Sequence, residues 1–351
     1  MASKRQTNFE LLRIVAMLMI ITLHYIVKGY GFLDALDRTP MFYVMRLIEA
    51  FCIVAVNCYV LISGYFLVES EWKVGRILSL LAQVLFYSIL IPVAMICIGM
   101  ISWSDLSLYD WLGFIFPIQT EHYWFATAYI MMYIFAPVLA AGVKNMDKRL
   151  LQMVIVVLLL FLSVGKSILP MYLATDRYGY DYGWFLCLFL VAAYLRLYCP
   201  VWLNKKGNAL ILYVSMCLGI YLLSWLSRLV ELGAGIDAFS YYWEMPYTYN
   251  HVLCLAGAIG LFYVFRNAKL RENKFAELIR RLAPYTFGVY LLHEHLLVRY
   301  EWTGWLHIDK VRETWLLIPH MIACVAVVYV VGTLVDFIRA YLFSKVRTMN
   351  K

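Results

Sequence analysis

Two ionisable residues inside the first apolar segment, Arg13 and His24, are of types that could carry chemistry. Eleven residues at about 100° each place their side chains about 20° apart on one helix face, and a rise of about 1.5 Å per residue separates them by roughly 16 Å. Ionisable groups are costly in hydrocarbon and are retained where they face protein, water or a ligand. A fixed cation and a titratable imidazole on one helix face therefore predict a site whose reaction takes place across a membrane.

His24 is a candidate general base, because a neutral imidazole accepts a hydroxyl proton near pH 7, as acyl transfer to an alcohol requires. The alternative is a histidine that only hydrogen-bonds a neighbouring helix. Arg13 could bind an anionic donor, such as the phosphates of a nucleotide-like molecule, or could pair with Glu10 one turn earlier. Lys73 and Arg76, ahead of the third apolar segment, could extend that anion site or could be ordinary topology signals.

Five further residues could orient His24 or contact an acceptor: Glu49, His122, Trp124, His293 and Glu294. Trp124 has the alternative of a simple interfacial anchor. Residues i and i+2 of a helix diverge by about 200°, so His293 and His295 are not expected to face one site. No thiolate or His-x-x-x-His pair supports zinc, so we expect no metal site, and we expect the eight cysteines to be buried small hydrophobes.

The composition places the chain in a bilayer. Hydrophobic residues make up 64% of the 351 residues and charged residues 15%, and the mean hydropathy is +0.75. A formal charge of +8 could indicate nucleic-acid binding, but helical membrane proteins concentrate Lys and Arg on cytoplasmic loops. We therefore expect membrane lipid, and no nucleic acid, as a partner.

Ten apolar stretches are long enough to span, at residues 10–28, 42–67, 76–101, 123–142, 150–170, 182–199, 208–230, 251–266, 282–299 and 315–342. They predict an all-α, polytopic membrane protein with a single transmembrane domain over residues 1–351 and no appended soluble domain. No small-residue cleavage site follows the first stretch, so we expect a retained helix rather than a signal peptide.

Basic residues are concentrated in every second loop between the apolar stretches and at the two ends of the chain. This alternation predicts that both termini are cytoplasmic. The residues on that side include Lys73, Arg76, Lys144, Lys148, Arg149, Lys205, Lys269, Arg271, Lys274, Arg280, Arg281, Arg339 and Lys345. The opposite loops are rich in Tyr and Trp, which suit either stacking on sugars or an interfacial aromatic belt.

Four segments together resemble the membrane acyltransferase-3 family. They are NFELLR continuing to His24, NCYVLISGYFL at 57–67, HYWFATAYIMMYIFAPVL at 122–139 and TFGVYLLHEHLL at 286–297, in that family's order. The resemblance implies an enzyme of the bacterial inner membrane that moves an acyl group, usually acetyl, from cytoplasmic acyl-CoA to a carbohydrate hydroxyl.

By matched position, the resemblance implies that His24 is the catalytic base and that Arg13 belongs to the donor channel, while Trp124 and His293 occupy family motif positions. Many members carry Arg-x-x-Arg where this chain has Lys73-x-x-Arg76, so this chain departs from the family's pattern at the first basic position. Some members append an extracytoplasmic domain, whereas none is expected in this chain. Acyl transfer would then be direct or would be completed by a separate protein.

The sequence thus predicts an acetyl-CoA-dependent O-acyltransferase for a cell-surface carbohydrate or its lipid-linked precursor, with acyl-CoA as co-substrate and no permanently bound cofactor. The alternative is a proton-coupled transporter of an amino acid or a lipid-linked sugar, because intramembrane His and Glu serve proton coupling equally well. A third hypothesis is a non-catalytic membrane module that acts as a sensor or a scaffold. The sequence does not predict the oligomeric state.

Overall fold

The structure is a computed structural model that describes residues 6–29, 36, 39–170, 176–236, 238–311 and 314–349, and within these ranges it is helical without β-strands. The helices are, in chain order, α1 (Thr7–Lys28), α2 (Pro40–Cys52), α3 (Ala55–Leu67), α4 (Val74–Cys97), α5 (Leu108–Ile115), α6 (Trp124–Lys144), α7 (Lys148–Leu159), α8 (Gly165–Ile168), α9 (Tyr182–Tyr198), α10 (Lys206–Ala234), α11 (Ala238–Glu244), α12 (Val252–Arg266), α13 (Lys274–Leu282), α14 (Thr286–His293), α15 (Trp302–Trp305) and α16 (Leu317–Met349). The all-α prediction is confirmed.

Eight helical stretches among the described residues are long and apolar enough to cross a bilayer. They are Thr7–Lys28, Pro40–Leu67, Val74–Cys97, Trp124–Lys144, Lys148–Ile168, Gly207–Ala234, Phe239–Arg266 and Leu317–Lys345. The protein is therefore a polytopic membrane protein, as the sequence predicts. The cytoplasmic placement of both termini stays a prediction.

Two of the ten predicted stretches take another form. Helix α9 is apolar but has only 17 residues. The stretch at 282–299 does not continue as one helix, because α14 ends at His293 and the chain turns. Just after this end the His295 ring accepts a hydrogen bond from the amide of Leu297, a local contact that competes with helical pairing.

Polar side chains fix where several helices begin. Asp147, Asp181 and Asn273 each accept a hydrogen bond from a backbone amide in the first turn of α7, α9 and α13. Helix α1 carries Glu10 in its first turn and Lys28 in its last turn, and both charges complement the helix dipole. These caps satisfy amides that the helix itself leaves unpaired.

The chain divides into two compact units. The first comprises Met1–Phe42, Gly75–Ala126 and Arg271–Lys351, and within it α1 packs against α13, α14 and α16. The second comprises Tyr43–Val74 and Thr127–Leu270, and within it α12 packs against α10 and α3, while α9 packs against α3 and α7. The single transmembrane domain stays a prediction.

A glycine sets the spacing of α14 and α16 in the first unit. The carboxylate of Asp336 on α16 is fully buried and accepts hydrogen bonds from Gln83 Nε2 (3.0 Å), Tyr87 Oη (3.0 Å) and Arg339 Nε (2.6 Å). A Cβ atom at Gly288 on α14 would overlap the carboxyl group of Asp336. The two helices therefore pack at a distance that only glycine allows at this position.

Replacing Gly288 with alanine is expected to destabilise the protein by about 1–3 kcal/mol, because the added methyl group meets a carboxylate that three donors hold in place. Thermal unfolding of the detergent-solubilised protein measures the effect. The control is Gly75→Ala in α4, where a Cβ meets nothing within 4 Å. Equal melting temperatures for the Gly288 variant and the wild type would contradict this packing argument.

Candidate active site

His24 lies one turn before the end of α1, the continuous helix that also carries Arg13. The His24 side chain is 12% exposed and the Arg13 side chain 27% exposed, so neither is sealed in the core. Between them on the same helix, the apolar residues Ala16, Ile20 and Leu23 are buried. The expected arrangement of a cation and an imidazole on one rigid helix is therefore present.

His293 holds the ring of His24. His293 Nδ1 lies 2.6 Å from the carbonyl oxygen of Val289, one turn earlier in α14, and a carbonyl only accepts, so Nδ1 of His293 carries a proton. In a neutral ring, His293 Nε2 is then an acceptor, and His24 Nδ1 donates to it across 2.9 Å. This assignment leaves the lone pair of neutral His24 on Nε2, which is free to accept a proton.

Glu294 places a negative charge beside the same ring. Its Oε1 lies 3.3 Å from His24 Nδ1, and the side chain is 2% exposed. Lys28, one turn after His24 on α1, pairs with the same carboxylate oxygen. If His24 takes up a proton at Nε2, Glu294 stabilises the resulting cation, as a charge-assisted hydrogen bond does.

His122 and His295 form a second imidazole pair in the first unit. Their ring centroids lie 4.5 Å apart, and Phe114 packs against both rings, at 5.6 Å from His122 and 5.5 Å from His295. His295 contacts the carbonyl oxygen of Ser88 at 3.3 Å. Burial lowers the pKa of His122 to about 4, so its ring is neutral at physiological pH, and both of its ring nitrogens are buried without a partner among the described residues.

Arg299, in the turn after α14, lies among these groups. Its charge acts on His24, His122, His295 and Tyr290. The guanidinium therefore adds positive charge near both imidazole pairs.

Arg13 forms an ion pair with Glu10, as one of the two sequence hypotheses expects. At the same end of α1, Arg280 of α13 donates to Thr7 and pairs with Glu272 at 2.9 Å. The guanidinium groups of Arg13 and Arg280 therefore both lie at the N-terminal end of α1. Both are already paired with carboxylates, so an anionic donor would exchange partners rather than meet unpaired cations.

The other predicted site residues are Lys73, Arg76, Trp124 and Glu49. Lys73 is in the second unit, 61% exposed, with Glu71 at 3.5 Å. Arg76 is exposed in the first turn of α4. Trp124 is half-buried at the start of α6, with its ring edge-on to Phe125.

Glu49 is buried in the second unit and is bonded to Arg46 at 2.8 Å. The guanidinium of Arg46 also stacks on Tyr247, with 3.6 Å from Cζ to the ring centroid, and donates to the carbonyl oxygen of Trp243. Glu49 is therefore the acidic member of a buried aromatic and ionic cluster of that unit.

Residues 6–336 match the acyltransferase 3 family, described as an acyltransferase domain. This match covers nearly the whole chain. The chain belongs to the acyltransferase 3 family. No match was found among curated proteins or among solved structures. The protein is therefore a membrane-bound acyltransferase, and the resemblance seen in the four sequence segments is confirmed.

Sequence reasoning on this acyltransferase missed two residues, Lys28 and Arg299. Lys28 was not singled out, although a spacing of four residues from His24 places both on one face of α1 and could have drawn attention to it. Nothing in the sequence marks Arg299, because its approach to His24 depends on the turn that follows α14.

Three donors in the acyltransferase form a set that could hold a metal ion, although the sequence offers no thiolate or His-x-x-x-His pair for zinc. The ligand atoms of His24, His293 and Glu294 all lie within 4.8 Å of one another. Lys28 already neutralises Glu294, however, and the 2.9 Å between the two imidazole nitrogens is a hydrogen-bond distance. We interpret the set as one that holds protons, and the expectation of no metal site stays a prediction.

Removing divalent metal ions with EDTA is expected to leave acyl transfer unchanged, whereas added Zn²⁺ is expected to inhibit it by occupying the lone pair of His24. Free CoA released from acetyl-CoA, quantified by mass spectrometry, measures both effects. Loss of activity in EDTA that Zn²⁺ restores would contradict the proton-holding interpretation.

Proposed function

We propose that the protein is an O-acyltransferase of a bacterial cytoplasmic membrane. It takes an acyl group, acetyl in the simplest case, from cytoplasmic acyl-CoA and delivers it to a hydroxyl of a cell-surface carbohydrate or its lipid-linked precursor. The observation that carries the proposal is the chain of contacts from Val289 through His293 to His24, which leaves His24 Nε2 as an acceptor. Membership of an acyltransferase family supplies the reaction class.

His24 acts as general base in this proposal. The acceptor hydroxyl loses its proton to Nε2 of His24 while its oxygen forms a bond to the thioester carbonyl carbon. The tetrahedral intermediate then collapses, the carbon–sulfur bond breaks, and the CoA sulfur leaves with the proton that His24 returns. Glu294 stabilises the transient imidazolium, and His293 keeps Nδ1 of His24 engaged.

Arg13 is the proposed anchor for the donor phosphates. A span of roughly 16 Å along α1 separates Arg13 from His24, a reach suited to the pantetheine arm of CoA. Arg13 would exchange Glu10 for a phosphate. The assignment of Lys73 and Arg76 to donor binding stays a prediction. His122 and Trp124 are proposed to lie on the acceptor side of the reaction.

Release of free CoA distinguishes this function from a transporter. The purified protein is incubated with acetyl-CoA, with and without glycans extracted from the source cells, and free CoA is quantified by mass spectrometry. A colorimetric thiol reagent is unsuitable because the protein has eight free cysteines of its own. We expect glycan-dependent release with one acetyl ester formed per CoA.

The absence of CoA release, combined with uptake of an amino acid or a lipid-linked sugar into proteoliposomes, would replace the enzyme by the transporter. The absence of both would favour a sensing or scaffolding module. Mass spectrometry of surface glycans from cells with and without the protein then identifies the acceptor.

A further inference from the structure

The His24 end of the candidate site in the first unit has more positive than negative charge. Among the described residues, Lys28 and Arg299 are the cations whose charge acts on His24, and Glu294 is the carboxylate that lies beside its ring. Lys28 already pairs with Glu294. If the histidines are neutral, one positive charge remains without a counter-charge.

Arg299 carries that unbalanced charge. No carboxylate of the described residues lies within 4.0 Å of its guanidinium, whose one described contact is with the face of Tyr300, 5.0 Å from the ring centroid. Its Nε is buried and has no hydrogen-bond partner in the described part of the chain. A half-buried guanidinium in an apolar setting is costly unless an anion or another acceptor completes it.

Several buried polar groups of the same unit, among them His122, on which the charge of Arg299 acts, also lack partners among the residues that the structure describes. They are both ring nitrogens of His122, the hydroxyl groups of Tyr123 and Thr303, and Nε1 of Trp302. His122, Tyr123, Trp302 and Thr303 are each at most 4% exposed. These are donors and acceptors of the kind that bind hydroxyl groups, and the Trp302 ring, 6.4 Å from that of His293, adds an aromatic face.

We propose that Arg299 binds a carboxylate or phosphate group of the acyl acceptor, so that the acceptor is an anionic saccharide. The guanidinium matches the geometry of either group with two parallel hydrogen bonds, and the neighbouring unpartnered groups bind the sugar hydroxyls. This inference rests on the proposed function, because it assigns Arg299 to the acceptor of the acyl transfer. It adds a class of substrate to that function and a residue that selects it.

The alternative role for Arg299 is to stabilise the oxyanion of the tetrahedral intermediate. That role would act on every acceptor alike and would change the rate rather than the binding of a saccharide. A second source of the same chemistry is the phosphate of an anionic lipid headgroup. The test separates binding of an anionic saccharide, stabilisation of the oxyanion and binding of a lipid headgroup.

Binding of two matched saccharides to the purified protein tests the proposal. The probes are methyl β-D-glucuronide, which has a carboxylate, and methyl β-D-glucoside, which lacks it, and binding is followed through thermal stabilisation. We expect the glucuronide to bind the wild type at least tenfold more tightly than the glucoside. In Arg299→Gln the difference should disappear, in Arg299→Lys it should persist in part, and in the control Lys310→Gln, an exposed cation of the same unit, it should be unchanged.

Equal binding of the two saccharides, or binding of neither, overturns the proposal, as does a preference that survives in Arg299→Gln. Competition by phosphatidylglycerol nanodiscs, and not by phosphatidylcholine nanodiscs, overturns it in favour of a lipid headgroup. A fall in CoA release without any change in saccharide binding overturns it in favour of the oxyanion role. The binding test needs no turnover, so failure of the proposed acyl transfer appears separately, as an absence of CoA release.

Discussion

Replacing His24 with alanine is expected to reduce acyl transfer roughly 10²–10⁴-fold, the share that a positioned general base contributes. The variant loses the nitrogen that accepts the hydroxyl proton, while the donor-side residues at the other end of α1 are untouched. Transfer of labelled acetyl from acetyl-CoA to extracted glycan measures the loss. The KM for acetyl-CoA should stay close to the wild-type value, because His24 is not proposed to bind the phosphates.

The control for His24 is another histidine of the same unit. His320 of α16 contacts Tyr25 Oη at 2.8 Å and the carbonyl oxygen of Leu306 at 2.7 Å. His320→Asn removes a half-buried histidine beside α1 and should retain most of the activity. Equal losses in the two variants would show that packing rather than base catalysis explains the effect, and full activity of His24→Ala would exclude the mechanism.

Replacing Glu294 with glutamine is expected to lower kcat roughly 10²-fold, because a hydrogen bond to a charged group such as the transient imidazolium is worth about 1.5–3 kcal/mol. The change removes the carboxylate 3.3 Å from His24 Nδ1 and leaves the charge of Lys28 unpaired beside a ring that must become cationic. His293 still accepts from His24 Nδ1, so the ring keeps its orientation and part of the activity.

A second substitution separates charge from packing in this pair. Adding Lys28→Met to Glu294→Gln removes the unpaired cation and should recover part of the lost kcat. The control Glu301→Gln, an exposed glutamate a few residues later, should behave as wild type. If the double variant is slower than Glu294→Gln alone, Lys28 has a role of its own in the reaction and the pairing argument is wrong.

The sequence predicted the parts of this protein that depend on local pattern. The long apolar run of α1 and the spacing of Arg13 and His24 fix a single helix with both groups on it, and the structure has that helix. The family was also identifiable, because four short motifs occur in the expected order. Apolar length likewise predicted most of the spans.

The contacts of His24 were not predictable in the same way. The sequence predicted one helix over residues 282–299, on which the side chains of positions 293 and 295 point in different directions. The end of α14 at His293 changes the geometry, so His293 meets His24 and His295 meets His122. Which carboxylate approaches His24 also depends on tertiary packing: Glu294 lies beside its ring, whereas Glu49 is paired with Arg46.

Transfer across a sealed membrane tests the central claim most directly. Inverted vesicles from cells that contain the native acceptor expose the cytoplasmic face, and labelled acetyl-CoA is added outside. We predict that labelled ester accumulates in carbohydrate enclosed by the vesicles with the wild type and with His320→Asn, and not with His24→Ala. Accumulation with His24→Ala at the wild-type rate would contradict a reaction in which His24 is the base for acyl transfer to a hydroxyl on the far side.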